Sequence, residues 1–198
     1  MEISQARSLV TQVRHAHRLL EGFYERILPQ LDKLASEAAN ANFRFWGSME
    51  GEGIGKSTSK PSSRAAWSFL PLFQSFYCYQ RGGQSEHAKQ GDIVLYFRLN
   101  TDDAFIDAAP EAMDYDPHTG SSSLELHLYC YTKDAAYSWD DIAEEYPWAK
   151  HDVWTTQDQD YPEVACCVKR FSLETVIATP GDIHDWISSQ LAHHPSKI

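Results

Sequence analysis

Positive charge is nearly missing from the middle of this chain. Residues 101–163 hold two basic side chains, Lys133 and Lys150, against 16 Asp and Glu. Residues 1–100 balance at +3 and residues 164–198 at zero, so this third carries the whole acidic excess behind the net charge of −11. Neutralising phosphates takes clustered Lys and Arg, so this balance argues against direct nucleic-acid binding. Long apolar runs are missing too. No stretch of about 18 apolar residues occurs, which leaves no helix able to span a bilayer. The first ten residues, MEISQARSLV, lack the basic cap and apolar core of a secretory leader. The four cysteines form no C-x-x-C pair, two of them (Cys166 and Cys167) are adjacent, and three lie in strand-like runs. They read as buried free thiols in a reducing compartment, with no zinc knuckle. A cytoplasmic location and no cofactor are the expectations.

What is present begins with two strictly alternating stretches. In Gly91–Asn100 (GDIVLYFRLN), Ile93, Leu95, Phe97 and Leu99 point one way and Val94, Tyr96, Arg98 and Asn100 the other. In Ser123–Lys133 (SLELHLYCYTK), Leu124, Leu126, Leu128 and Cys130 oppose Glu125, His127, Tyr129 and Tyr131. A period of two is the signature of a pleated strand. These are expected to be central strands of an antiparallel sheet, with the Ile/Leu/Phe face under helices. Tyr96, Arg98, His127 and Tyr129 would share the other face, with Tyr77 and Tyr79 as further members. Tyr and Arg in such an array suit an interface or ligand groove.

Around this centre, residues 2–41 carry apolar side chains at alternating three- and four-residue spacing from Ile3 to Ala41, the pattern of a core-facing helix. His17 stands in that seam, where partial burial is expected. Pro29, opposite the seam, predicts a kink or a division into a hairpin. Strands are also expected at Asn42–Glu50, at Trp67–Gln80 (Pro71 limiting its first half to an edge or bulge, Phe73–Tyr79 alternating) and at Glu163–Phe171, with Leu173–Ala178 extending the sheet. A final helix follows Thr179-Pro180-Gly181-Asp182, which places Pro at a helix start. His193 and His194 near its end read as dipole complements or an exposed tail. The fold class is therefore α+β: an N-terminal helical segment (long kinked helix or hairpin), an antiparallel sheet of about five strands and a C-terminal helix. One globular domain is expected over 1–198. Residues 1–41 form its helical segment and 42–178 its sheet, with acidic insertions at 101–122 and 134–163; the last helix occupies 179–194.

Motifs with chemistry are few. G-I-G-K-S at residues 53–57 resembles a phosphate-binding loop, but that loop needs Gly where Glu50 stands, and Ser, Thr and Pro61 follow where a helix should begin. Asp114, Asp116 and His118 sit two apart, a spacing that can surround a hard cation. Asp116 with Glu125 and His127 gives a nuclease-like arrangement in which His127 would replace the usual Lys. Trp139–Tyr146 (WDDIAEEY) predicts a short helix with Asp140 and Asp141 in its first turn. Trp139, Trp148 and Trp154 interleave with Asp140, Asp141, Glu144 and Glu145. Rings supply contact area while acids set orientation and on-rate, so this mixture suits a basic surface.

The function these features favour is a non-enzymatic acidic protein-binding factor of the inhibitor, immunity or adaptor type. It would dock residues 101–163, including Asp102, Asp103, Asp114 and Asp116, on a basic partner surface, such as that of a nucleic-acid-binding protein, in imitation of nucleic acid. Two alternatives stand beside it. One is a metal-dependent hydrolase or nuclease using the carboxylate/His cluster, and the other a small-ligand binder on the aromatic sheet face. Self-association through residues 3–41 is a further expectation.

Overall fold

The computed structural model describes residues 2–48, 73–82, 87–103, 116, 118, 120–137, 151–156 and 161–195. The G-I-G-K-S stretch, residues 67–72 of the expected second strand, the expected helix at 139–146 and the site candidates Asp114, Trp139, Asp140, Asp141, Glu144, Glu145 and Trp148 lie outside the described residues.

The N-terminal periodicity produces one unbroken helix, α1 (Ile3–Ala39), rather than a hairpin, with Pro29 inside it. Pro29 is exposed, so its missing donor faces water instead of the core. Glu2 starts the helix with a capping box, its backbone N–H donating to Gln5 Oε1 at 3.0 Å. Asn40 ends it at φ 51°, the left-handed conformation that Asn tolerates better than most residues. The apolar stripe does not behave uniformly along this length. Ile27, Leu31, Leu34, Ala35 and Ala39 are buried in the core. By contrast Ile3, Leu9, Val10, Val13 and Leu19 are 48–75% exposed, and His17, expected to be partly buried, is exposed as well. The first half of α1 is thus an arm and only the second half packs.

Six strands form one antiparallel sheet: β1 (Asn42–Ser48), β2 (Gln74–Arg81), β3 (Ile93–Asn100), β4 (Ser123–Tyr131), β5 (Thr155–Thr156) and β6 (Val164–Ser172). Their spatial order is β1-β2-β3-β4-β6-β5. The two alternating stretches are β3 and β4, paired at the centre with Leu95 opposite Leu128 and Tyr96 opposite His127. Ile93, Leu95, Phe97, Leu99 and the leucines of β4 meet α1 in the main core. Val94, Tyr96, Tyr129, Tyr131, Val164 and Cys166 form a second core on the opposite face. Every residue of β4 is consequently buried.

Leu173–Ala178, expected to extend the sheet, is instead a helix, α2 (Leu173–Ala178). Its β-branched residues read as strand, but Ser172 caps it, Oγ accepting from the Thr175 N–H at 3.2 Å, and Leu173 and Val176 enter the main core. The last helix, α3 (Pro180–Ala192), starts with Pro180 in its first turn, as the sequence implies, and buries Ile183, Trp186, Ile187 and Leu191. His193 Nδ1 lies 2.9 Å from the Ser189 carbonyl at its C-terminus. His194 is not part of an exposed tail: it is buried, with Nδ1 3.3 Å from Cys130 Sγ. All four cysteines are buried and none is in a disulfide, with Cys166 and Cys167 facing opposite cores. Among the described residues, no helix is long and apolar enough to cross a membrane.

The two acidic stretches leave the sheet from opposite ends of β4. Asn100 pairs with Ser123, so residues 101–122 emerge at that end; Tyr131 pairs with Val164, so residues 132–163 emerge at the other. At about 3.3 Å per residue, these roots are roughly 26 Å apart.

Candidate functional site

The alternation of β4 places Glu125, His127 and Tyr129 in a row on one face, and the register of the neighbouring strands brings arginines to its head. Arg98 of β3 and Arg170 of β6 both pair with Glu125 across the sheet. Arg170 donates to Glu125 Oε2 at 2.9 Å, and an Arg98 nitrogen lies 3.6 Å from Oε1. His127 Nε2 stands 2.7 Å from Oε1. An ionised carboxylate can only accept, so Nε2 carries the proton and donates. Nδ1, on the other side of the ring, lies 3.1 Å from the Tyr129 hydroxyl. Tyr96 meets the His127 ring edge-on at 6.1 Å, and the rings of His127 and Tyr129 stack at 5.9 Å. The bond from His127, together with the two guanidiniums and against the opposing effect of burial, lowers the Glu125 carboxyl to about 2. Burial pushes the neighbouring Cys166 thiol well up, with the Tyr129 hydroxyl pulling the other way.

The sequence-predicted Tyr96, Arg98, His127 and Tyr129 do come together, but inside the protein: Tyr96, His127 and Tyr129 are all under 7% exposed. The open aromatic face expected from their residue types is a closed polar core. Tyr77 and Tyr79 do not share it. They pair with Phe97 and Leu95 and belong to the main core, whereas Phe76 and Cys78 occupy the Tyr96 side.

The loop candidates are dispersed. Asp103 closes the neck of the first acidic stretch, accepting from the Ser121 N–H at 2.7 Å and the Ser121 hydroxyl at 2.6 Å. Asp102 is half-buried beside it. Asp116 is exposed and accepts the His118 N–H at 2.9 Å, a local turn rather than a ligand set. Among the described residues, no group of three or more His, Cys, Asp or Glu could hold a metal ion. Trp154 packs against the main core instead of projecting among acids.

A concave feature with no counterpart in the sequence reading lies where α1 departs from the sheet. Tyr24, Phe43, Trp46, Tyr77 and Tyr79 wall a groove of about 440 Å³, with Leu28 and Asp32 completing it. Its construction depends on a bulge. Phe43 and Trp46 are three residues apart and would fall on opposite faces of a regular strand. The register of β1 slips between Phe43 and Phe45, so Phe43 pairs with Tyr79 and Trp46 with Tyr77, and both rings face α1. Bulges re-aim side chains in this way. Arg44, the extra residue, donates to Gln80 Oε1 at 2.6 Å. Trp46 stacks on Tyr77 at 6.4 Å, while Phe43 meets Tyr79 edge-on at 5.7 Å. The Tyr79 hydroxyl donates to Asp32 Oδ1 at 2.6 Å. Burial raises the Tyr24 hydroxyl to about 12 and lifts those of Tyr77 and Tyr79 as well, so all three phenols are neutral at pH 7. Two large rings remain open to solvent, Phe43 at 49% and Trp46 at 55%.

Neither a curated protein nor a solved structure matches the chain. A family does, over residues 4–187, from the first turn of α1 to the last turns of α3. The chain belongs to the PM0109 family.

Proposed function

We propose that the protein is a non-enzymatic, acidic protein-binding factor that docks its middle third on a basic partner. The observation that carries this reading is the charge distribution, two basic against 16 acidic side chains over residues 101–163. Opposed fields of that kind steer encounter and fix orientation. The state of the described carboxylate–histidine pair supports binding over catalysis. Glu125 and His127 are internal: they bond to each other, Arg170 and Tyr129 bond to them in turn, and Arg98 adds an ion pair to Glu125 at 3.6 Å. Because the acidic stretches are rooted at opposite ends of β4, the partner engages one end or bridges both. Lysine substitutions at Asp102 and Asp116 test the first end, and at Asp140 and Asp141 the second. A basic partner captured at low salt and then purified is titrated with each variant. At least one variant should bind about tenfold more weakly, and wild-type affinity should fall steeply with salt. Binding indifferent to both variants and to salt would sink the reading.

A second reading, self-association, is favoured by the arm of α1, whose exposed Ile3, Val10 and Val13 continue the seam that Ile27, Leu31 and Leu34 bury. A seam repeating every three and four residues matches a second copy of itself. Sedimentation across a wide concentration range tests it: the wild type should dimerise and Val10→Glu should not. A wild type that stays monomeric throughout removes the reading.

A further inference from the structure

We infer that the aromatic groove between α1 and β1 is a binding site for a quaternary ammonium group. The groove's described residues belong to α1, β1 and β2, and none of them is part of the acidic stretches.

Three features of the groove lead to it. The first is its walls: five aromatic side chains converge from three elements, Tyr24 of α1, Phe43 and Trp46 of β1, and Tyr77 and Tyr79 of β2. Aromatic faces carry partial negative charge and attract cations, Trp most strongly. The second is the charge at the rim. Among the described residues Asp32 is the one carboxylate lining the groove, and the Tyr79 hydroxyl fixes it through Oδ1. Asp32 is exposed at the rim, and among the described residues no Lys or Arg forms an ion pair with it. An anion would be repelled here. The third is where the polar atoms lie: among the described residues, the lining apart from the Asp32 carboxylate, the phenol oxygens and the Trp46 indole nitrogen is ring carbon and Leu28. A primary ammonium has three donors and is strongly hydrated. Here it would find the Asp32 carboxylate and phenol oxygens, one of which already donates to that carboxylate. An ammonium whose protons are replaced by methyl groups needs no acceptors and gains contact with the rings.

The size agrees. About 440 Å³ lies toward the lower end of the range for small-molecule sites. The local construction agrees as well. An ordinary edge strand would turn Phe43 or Trp46 away from α1, and the bulge turns both toward the groove. The two half-exposed rings line a cavity beside a carboxylate.

The test is calorimetric titration of the intact protein with choline and with tetramethylammonium. Choline's neutral isostere, in which a tert-butyl group replaces the trimethylammonium, and ethanolamine serve as comparators. Choline should bind about tenfold or more tightly than the isostere, and ethanolamine should also bind more weakly. Trp46→Ala should abolish binding, Trp46→Phe should retain part of it, and Asp32→Asn should weaken it by about fivefold or more. Trp46 is half-exposed, so its variants should fold; unchanged circular dichroism checks this. A peptide bearing trimethyllysine, titrated alongside, separates a free ligand from a methylated protein tail, and binding of either supports the assignment. Equal affinity for choline and its isostere would reduce the groove to an apolar pocket and overturn the inference. So would the absence of binding by choline, tetramethylammonium and the trimethyllysine peptide alike.

Discussion

Glu125→Gln is the substitution that most directly probes how the sheet's second face is held together. In the native protein the carboxyl titrates at about 2 against an ordinary 4.5, the bond from His127 being the largest cause. A difference of that size corresponds to roughly 3 kcal/mol in favour of the ionised form. Arg170 is 62% exposed and solvent screens it, so about 2 kcal/mol is the working figure. The amide has one acceptor oxygen where the carboxylate had two, so it cannot serve Arg98, Arg170 and His127 together. Breaking a buried charge network in this way adds to the loss, for a total of about 2–4 kcal/mol at pH 7. For a chain this long that lowers Tm by roughly 5–10 °C. The sign with pH is fixed. A depressed carboxyl stabilises the fold above its unfolded value, and that contribution fades as pH falls from about 4.5 toward about 2. Urea melts at a series of pH values from 7 downward should therefore show wild type and variant converging on the acid side. A variant within about 0.5 kcal/mol of wild type at pH 7, or a gap that does not narrow below pH 4.5, would refute the account.

The two halves of α1 should respond differently to truncation: Leu31→Ala should cost about 2–5 kcal/mol, while Leu19→Ala, at 75% exposure, should stay within about 0.5 kcal/mol. Chemical denaturation of both variants checks this. Gly82→Ala should cost about 2–3 kcal/mol, because φ is +121° and a Cβ there would collide with the Asp92 carboxylate. Gly91→Ala, at φ +89° with open space around it, should cost only about 1 kcal/mol. The thiols should be nearly inert to an aromatic disulfide reagent in the native state, because all four are buried and burial raises Cys166 and Cys167, the latter to about 12. All four should react promptly in denaturant.

Period-two alternation made β3 and β4 legible, and with them the antiparallel sheet. Their flanking residues were not assignable by the same signal. Tyr77 and Tyr79 alternate as well as Tyr96 and Tyr129 do, yet which face they join depends on register: Tyr77 falls opposite Phe97 and so joins the leucines. In α1 the spacing that identifies the buried half continues unchanged through the exposed half, because periodicity records an amphipathic face and not what covers it. Glu125 and His127, two residues apart, were bound to share a face once β4 formed. Arg170, which completes that cluster, comes from a strand paired through tertiary contacts. The groove was hidden for a related reason: a bulge changes which residues are in phase, and neither Phe43 nor Trp46 signals it. Leu173–Ala178 read as strand because Val and Ile favour one, and the Ser172 cap and core contacts decided otherwise.

The outer edge of β6 has a bearing on solubility. Beyond the short pairing with β5 and the bridge between His151 and Val168, residues 169–172 have no further strand beside them among the described residues. Open strand edges template intermolecular pairing unless something disrupts it, and Lys169 and Arg170 stand at this one. Arg170 thereby has two consequences from one position, ordering Glu125 inward while its exposed charge discourages a second molecule from adding a strand. A neutral residue there would take the bond from Glu125 Oε2 and also leave the protein more prone to fibrillar assembly at high concentration.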